Sequence, residues 1–253
     1  MRTPESAMRA KRKGAIDKDT PFFEHGVKGA DLVILAGPIS TIINQLKVLV
    51  DFVEKDAIVI DVGSTKFDIC KTAEAFFDAR RPKNAPKFVG CHPMVGSEKK
   101  GVTYSKEGMF DKTWCWIAKS KANKKTIKKI QKFWKLLGSK SHFIDPDSHD
   151  YVVAHVSHLP HIVSFAMFQG IRFKKIPLTN RSVKEFVRLS KSDADLWADI
   201  ILSNNKQVLH ALKRFITNLH KWRVAIVNHD LNRLKSYITD ANKQSYYLHF
   251  KEV

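Results

Sequence analysis

Residues 87–101 have the sequence KFVGCHPMVGSEKKG, and the interpretation of the rest of the chain depends on them. The stretch begins as a short apolar run typical of a buried strand, which is broken at Gly90 and again at Pro93. The break leaves His92 at the carboxyl end of the predicted strand, where ligands bind in open α/β sheets. A histidine placed there is a candidate general base, because its pKa lies close to neutral pH. A purely structural role for His92 in a turn is the alternative.

Strand and helix patterns alternate on both sides of this stretch. The predicted strands are residues 31–37, 57–62, 87–91, 113–118 and 141–144, with a short extended piece at 15–17. The first two strands lead through glycine-containing turns into helical patterns. Strands that alternate with helices are typical of βαβ units. The sequence therefore predicts an α/β fold with a mainly parallel sheet.

The pattern changes near residue 146. Beyond Asp150, helical periodicity persists to the end of the chain, and no segment has convincing strand character. Helices are predicted at residues 151–173, 193–219 and 222–237. We therefore predict an α/β domain over residues 1–145 and an all-α domain over residues 146–253.

The chain is strongly basic, with 44 Lys and Arg residues against 25 Asp and Glu residues and a formal net charge of +19 at pH 7. Such an excess attracts polyanions, so nucleic acid and phosphorylated or polycarboxylate ligands are both open as partners. Lysines and apolar residues share residues 124–137 at helical spacing. This spacing favours a solvated helix face over a nucleic-acid surface.

The cysteine and histidine positions bear on location and metal binding. Cysteines at positions 70, 91 and 115 share no close spacing, which indicates neither a disulfide framework nor a zinc site. We see no secretory signal, and three histidines and a proline within residues 151–170 disfavour a membrane span. Those histidines, His155, His158 and His161, drift by about 60° per step on a helix and do not converge on one metal ion. We expect a cytoplasmic protein without a metal site.

Several sequence features, taken in order, resemble one enzyme family. They are DLVILAGP at 31–38, DVGSTK at 61–66, GCHPMVGSEKKG at 90–101, HD at 149–150, SHLPH at 157–161, Arg188, and KSDADLWADI at 191–200. Together they closely resemble the prephenate and arogenate dehydrogenases of tyrosine biosynthesis, from about Pro4 to Leu219. HPM-x-G-x-E and SHLPH at this separation are far more specific than a lone glycine motif.

The resemblance implies an enzyme that oxidises and decarboxylates prephenate or arogenate with NAD or NADP. In that family a hydride leaves C4 of the cyclohexadiene ring, the C1 carboxylate departs as CO2, and a base removes the C4 hydroxyl proton. By resemblance, His92 is that base, Ser64 is a hydroxyl near the substrate and the nicotinamide, and Arg188 binds a substrate carboxylate. Further candidate substrate contacts are His161, Glu98 and His149, and candidate cofactor contacts are Gly37, Pro38, Gly63 and Ser64.

The resemblance also implies a Rossmann-type α/β domain, followed by a helical domain that binds substrate and forms a homodimer. Two departures from the family pattern stand out. The family usually has an Asp three residues before the arginine, whereas residues 181–187 of this chain are RSVKEFV. The family's first strand, its G-x-G-x-x-G turn and its second strand are also absent, roughly 30 residues in all.

We therefore expect an N-terminally truncated Rossmann-type domain. We favour a misassigned start codon or a truncated gene, with the missing segment upstream of Met1, because the downstream site residues are all in place. One alternative is a catalytically inactive remnant that acts as a basic binding or dimerisation protein. Another is a related 3-hydroxyacid-type dehydrogenase, against which SHLPH beside HPM-x-G argues.

Overall fold

The computed structural model describes residues 4–78, 87–96, 101–170 and 181–246 of the 253-residue chain. In this part of the chain, the N-terminal half contains two small sheets with helices packed on them, and the C-terminal half is helical. The prediction of a mainly parallel α/β domain followed by an all-α region is confirmed.

The elements of the N-terminal half are α1 (Pro4–Arg12), α2 (Phe23–Val27), β1 (Leu32–Leu35), α3 (Ile39–Leu49), β2 (Ile58–Asp61), α4 (Phe67–Ala73), β3 (Lys87–Val89), β4 (Cys91–Pro93), β5 (Trp114–Ala118), α5 (Lys124–Leu136) and β6 (Lys140–Ile144). Those of the C-terminal half are α6 (Pro146–Val153), α7 (Leu159–Gln169), α8 (Arg181–Ser190), α9 (Ala194–Ser203), α10 (Asn205–Val227) and α11 (Leu231–Ser245). Two π-helical turns, Glu74–Asp78 and Ala154–His158, follow α4 and α6.

The first sheet consists of β1, β2 and β3, which are all parallel and lie in that order. All four residues of the central strand β2 are buried, because helices cover both faces of the sheet. Val59 packs on one face with Ile42 of α3 and Ile69 of α4. Ile60 packs on the other face with Trp134 of α5. The sheet is therefore a layer between two apolar cores.

Gly90 separates β3 from β4, so the predicted strand 87–91 is divided in two. β4 leaves the first sheet and pairs antiparallel with β5, which in turn pairs parallel with β6. A Cβ atom at Gly90 would lie 2.9 Å from Cys70 Sγ and 3.2 Å from Ala118 Cβ, so the position accommodates only glycine without a shift. His92, predicted at the carboxyl end of that strand, therefore lies within β4 of the second sheet.

Other elements also differ from the prediction. Residues 15–17 lie in no strand. α10 continues through residues 219–222, where we predicted a break, and the helices are instead interrupted at Asn204 and at residues 228–230. The Asn204 side-chain amide donates a hydrogen bond to the backbone oxygen of Asp150 at 2.8 Å. This tertiary contact has no signature in the helical periodicity.

β1 forms one edge of the first sheet, and among the described strands it pairs only with β2. Ile34 on this strand is 44% exposed and lines a groove of about 1000 Å³ together with Phe22 and Val48. An edge strand presents unpaired backbone N–H and C=O groups. The β1 edge is therefore an apolar surface at which a further strand could pair.

α6, the π-helical turn and α7 form one helical run, Pro146–Gln169. Within the described residues, this run is the one helix long and apolar enough to cross a membrane by length and composition alone. However, His149 and His158 are at most 1% exposed, and the Asp150 carboxylate contacts the N-terminus of α4. These buried polar contacts fit an internal helix of the protein.

Candidate active site

A buried ion pair holds the turn that follows β2. The Asp61 carboxylate accepts hydrogen bonds from the backbone N–H of Gly63 at 2.8 Å and of Cys91 at 3.2 Å. The Lys66 ammonium forms an ion pair with Asp61 and donates to the backbone oxygen of Thr65 at 2.8 Å. Both charged side chains are 0% exposed. Burial raises the pKa of Asp61, and the charge of Lys66 opposes that rise.

His92, His149 and Asp150 form a hydrogen-bonded line that joins β4 to α6. His92 Nδ1 lies 2.9 Å from His149 Nε2, and His149 Nδ1 lies 2.7 Å from Asp150 Oδ1. His149 is 0% exposed, whereas His92 is only half-buried. Burial, followed by the charge of Lys66, lowers the pKa of His149 to about 3. Burial, followed by the repulsion between a protonated His149 and a protonated His92 and by the charge of Lys66, also lowers the pKa of His92 well below its usual value. Both imidazoles are therefore neutral at neutral pH.

Asp150 also caps α4 from the helical half of the chain. Its carboxylate accepts hydrogen bonds from the backbone N–H of Lys66 at 2.7 Å and of Phe67 at 2.9 Å. These amides stand at the N-terminus of α4, where a helix leaves N–H groups unpaired and the helix dipole favours an anion. The position of Asp150 is therefore fixed by three donors on two different elements.

The two histidines of SHLPH, His158 and His161, have different surroundings. His158 is 1% exposed, its Nδ1 lies 3.3 Å from the Asn204 amide nitrogen, and burial lowers its pKa to about 4. His161 is half-buried and stacks on Trp197, with ring centroids 3.4 Å apart and ring planes at 22°. His161 Nδ1 donates to the backbone oxygen of Ser157 at 2.8 Å. Of the two, only His161 keeps an open side.

Arg188 lies on α8 and is half exposed. Its Nε donates to the Glu185 carboxylate at 2.9 Å. Glu185 stands three residues before Arg188, where the family usually has an Asp, so a carboxylate is present there on a longer side chain. The pKa of His161 is lowered chiefly by burial and also by the charge of Arg188. Glu98, another predicted substrate contact, lies outside the described residues.

A cavity of about 500 Å³ lies between the turn after β1 and helix α9. The predicted cofactor contacts Gly37 and Pro38 line this cavity, together with Asp195 and Asp199. Asp199 accepts a hydrogen bond from the backbone N–H of Ser40 at 3.3 Å and so caps α3. The described lining residues include carboxylates and no Lys or Arg. The cavity therefore suits a neutral or cationic group better than a phosphate.

The turn after β2 carries the other two predicted cofactor contacts, Gly63 and Ser64. Gly63 packs inward, since a Cβ atom there would lie 2.8 Å from Ile69 Cδ1. Ser64 is half-buried, and its neighbour Thr65 shares a hydrogen bond of 3.1 Å with Ser203 of α9. Both turns at the carboxyl ends of the first sheet are thus tied to the same helix.

No group of three or more His, Cys, Asp and Glu side chains that could hold a metal ion occurs within residues 4–78, 87–96, 101–170 and 181–246.

Sequence reasoning did not identify Asp61, Lys66 or Asp150 as site residues. A signal was present for Asp61, because it ends an otherwise apolar strand, where an uncompensated charge is unfavourable.

Two family models match the chain in succession. The nucleotide-binding domain of prephenate dehydrogenase matches residues 2–143, and the dimerization domain of prephenate dehydrogenase matches residues 145–240. The chain belongs to the prephenate dehydrogenase family. The predicted family is therefore confirmed, and the two matched regions meet close to the start of α6.

Individual members of the prephenate dehydrogenase family are similar to this chain in sequence. Prephenate dehydrogenase of Bacillus subtilis is 30% identical over 247 residues, which cover 94% of this chain and 65% of that protein. Cyclohexadienyl dehydrogenase of Zymomonas mobilis is 28% identical over 245 residues, which cover 93% of this chain and 81% of that protein. This chain thus spans about two thirds, 65%, of the length of its Bacillus relative.

A solved structure from the family has the same fold. Prephenate dehydrogenase from Aquifex aeolicus, in complex with hydroxyphenyl propionate and NAD+, is 30% identical and superposes with a TM-score of 0.84. The match covers 98% of this chain and 87% of that one. Synechocystis arogenate dehydrogenase, at 22% identity and a TM-score of 0.76 over 98% of this chain and 89% of its own, supports the fold.

Proposed function

We propose that this chain catalyses the oxidative decarboxylation of prephenate or arogenate with NAD or NADP. The observation that carries the proposal is His92, a neutral and half-buried imidazole whose Nδ1 is engaged by His149. Its other ring nitrogen, Nε2, has no hydrogen-bond partner among the described residues. The Aquifex relative, solved with hydroxyphenyl propionate and NAD+, supports the same classes of ligand.

In this proposal His92 Nε2 removes the proton from the C4 hydroxyl of the substrate, and Ser64 hydrogen-bonds the C4 oxygen. NAD(P)+, when bound, accepts the hydride that leaves C4. The C1 carboxylate departs as CO2 and the ring becomes aromatic. Since aromatisation supplies the driving force, the protein chiefly orients the ring and accepts one proton.

The cavity beside Gly37 and Pro38 would hold the nicotinamide end of the cofactor. Asp195 and Asp199 give this cavity negative charge, which favours a cationic ring and disfavours the pyrophosphate. The described residues that line this cavity therefore fit the nicotinamide end of the cofactor and not its pyrophosphate.

Absorbance at the reduced-nicotinamide band tests the proposed activity. The chain is mixed with prephenate or arogenate and with NAD+ or NADP+, and released CO2 is measured in parallel. We expect at least one of the four combinations to yield reduced cofactor and CO2 in equal amounts. No turnover in any combination would contradict the proposal and favour an inactive member of the family.

Arg188→Ala is expected to raise KM for the substrate by the equivalent of about 2–3 kcal/mol, or roughly 30- to 150-fold, with a smaller effect on kcat. The reason is that the guanidinium binds a substrate carboxylate in the ground state and in the transition state alike. Initial rates over a range of substrate concentrations measure the effect. Lys184→Ala removes an exposed cation from the same helix and serves as the control. Equal KM values for the two variants would mean that another cation holds the carboxylate.

We also propose that the chain forms a homodimer through α10 and α11. Large apolar side chains are exposed along these helices, among them Leu209, Ile216, Ile226 and Leu231, at 57–64%. Exposed apolar surface on this scale is typical of an interface. The description of the matched C-terminal family model as a dimerization domain supports a second copy as the partner.

Ile216→Glu is expected to convert the dimer to a monomer, because a carboxylate in place of this exposed apolar side chain would be desolvated in the interface without a partner. Light scattering coupled to size exclusion measures the mass in solution. Arg214→Glu introduces the same side chain on another side of α10 and is expected to leave the dimer intact. A wild-type mass of one chain would contradict the proposed dimer.

We propose a reducing, cytoplasmic location for the protein. Cys70, Cys91 and Cys115 are all free and buried. Burial raises the pKa of the Cys70 thiol and of the Cys91 thiol, which keeps both protonated and unreactive. Free thiols of this kind are typical of reducing compartments.

A further inference from the structure

We propose that His149 and Asp150 are positioning residues that fix the tautomer of His92, with the proton on Nδ1 and the lone pair on Nε2. The inference rests on the proposed function, in which Nε2 is the basic atom. It changes the role expected for His149, since a side chain with 0% exposure lies behind His92 and is not placed to touch substrate.

The Asp150 carboxylate determines which ring nitrogen of His149 carries the proton. Its carboxylate oxygens face the backbone N–H groups of Lys66 and Phe67, which can only donate. The third group at this carboxylate is His149 Nδ1, 2.7 Å from the oxygen that Lys66 N–H also contacts. Burial raises the pKa of Asp150, but the Phe67 and Lys66 N–H groups and the Lys66 charge oppose that rise and favour the carboxylate. An ionised carboxylate only accepts hydrogen bonds, so the ring proton of His149 lies on Nδ1.

His149 in turn determines which ring nitrogen of His92 carries the proton. A neutral His149 with its proton on Nδ1 has a lone pair on Nε2, and the atom opposite, 2.9 Å away, is His92 Nδ1. His92 must therefore donate from Nδ1, which leaves the lone pair on Nε2. The backbone at the start of α4 thus decides, through two side chains, which nitrogen of His92 is basic.

The charges around His149 determine when this arrangement holds. If His149 took up a proton, its Nε2 would become a donor toward His92 and would drive the His92 proton onto Nε2. The Lys66 ammonium, which forms the ion pair with Asp61, opposes that protonation. His158 also faces Asp150 and His149, and burial keeps His158 itself neutral near pH 7. Among the described residues, the line is thus neutral apart from Asp150.

The tautomer can be read directly and without substrate. The full chain is labelled with ¹⁵N at histidine, and the His92 ring signals are assigned by their loss in His92→Gln. We expect wild-type His92 to show a protonated Nδ1 and an unprotonated Nε2 at pH 7. A proton on Nε2, or an equal mixture of tautomers, would overturn the inference.

Variants of His149 then test whether the tautomer matters for turnover. His149→Leu removes the acceptor, and we expect a mixed His92 tautomer and a fall in kcat of roughly 10- to 10³-fold with KM little changed. His149→Gln provides an amide oxygen as acceptor and should recover part of kcat. His25→Gln removes an exposed histidine of α2 and is the matched control. A kcat for His149→Leu within about twofold of the control would overturn the positioning role.

The two proposals fail in different ways. If the chain turns over no substrate but wild-type His92 carries its proton on Nδ1, the proposed function fails and the tautomer assignment stands. If the chain is active but His92 carries its proton on Nε2, the proposed function stands and the positioning role fails. If His149→Leu does not fold, the wild-type spectrum still decides the assignment.

Discussion

His92→Asn is expected to lower kcat by about 10²–10⁴-fold, because it removes the group that accepts the C4 hydroxyl proton. Asparagine is short and polar, so its amide can still donate to His149 Nε2 and preserve the packing of β4 against α6. The substrate carboxylate and the cofactor contact other residues in the proposed site. We therefore expect KM and cofactor affinity to change by less than about threefold.

Steady-state rates, together with cofactor titration by fluorescence, measure these quantities. His25→Asn, an exposed change on α2, shows the effect of a histidine substitution outside the site. Turnover of His92→Asn equal to that control would remove His92 from the mechanism. A circular dichroism spectrum unlike that of the wild type would instead mean that the loss of activity reflects folding, and His92→Gln would replace the variant.

Lys66→Met is expected to lower the free energy of unfolding by about 3–5 kcal/mol at neutral pH. Methionine has a similar length and no charge, so the change leaves the Asp61 carboxylate buried at 0% exposure without its partner ion. A loss of this size is a large part of the total stability of a typical domain. Urea titration followed by tryptophan fluorescence measures the difference, with exposed Lys71→Met as the control within about 0.5 kcal/mol of wild type.

The pH dependence of this loss follows from the pKa of Asp61, which burial raises above 3.8. A raised carboxyl pKa in the folded state favours the folded protein at low pH, and that advantage is lost as the pH rises through the folded pKa. Without the opposing charge of Lys66 the rise is larger. The loss in the free energy of unfolding caused by Lys66→Met should therefore be smaller at pH 5 than at pH 8. The double variant Asp61→Asn with Lys66→Met should recover most of that free energy. A deficit that does not change with pH would contradict a buried, unpaired Asp61.

The strands of the first sheet could be predicted from the sequence, because β1 and β2 are apolar runs that end close to Gly37 and Gly63. The antiparallel start of the second sheet could not. The chain changes sheets at Gly90, and the close contacts that require a glycine there come from Cys70 and Ala118, 20 and 28 residues away. The local sequence pattern predicts that the strand ends at such a point, but it does not predict the direction of the chain beyond it.

The candidate site was predictable residue by residue but not as a network. His92 and Arg188 stand in motifs that resemble the family, so their proposed roles follow from the sequence. The contacts of Asp150 with Lys66 and Phe67 join residues 83 and 84 positions apart, and no periodicity encodes them. Glu185 shows the same limit, since its position suggested a missing Asp and its ion pair with Arg188 became visible only in three dimensions.

Two helices of the nucleotide-binding half, α3 and α4, receive their N-terminal caps from carboxylates of the helical half, Asp199 and Asp150. A cap of this kind stabilises a helix by about 1 kcal/mol, and its loss would leave amides of both helices unpaired. Neither half is therefore complete on its own. We therefore expect the two halves to unfold in a single cooperative transition, although two separate family models match them.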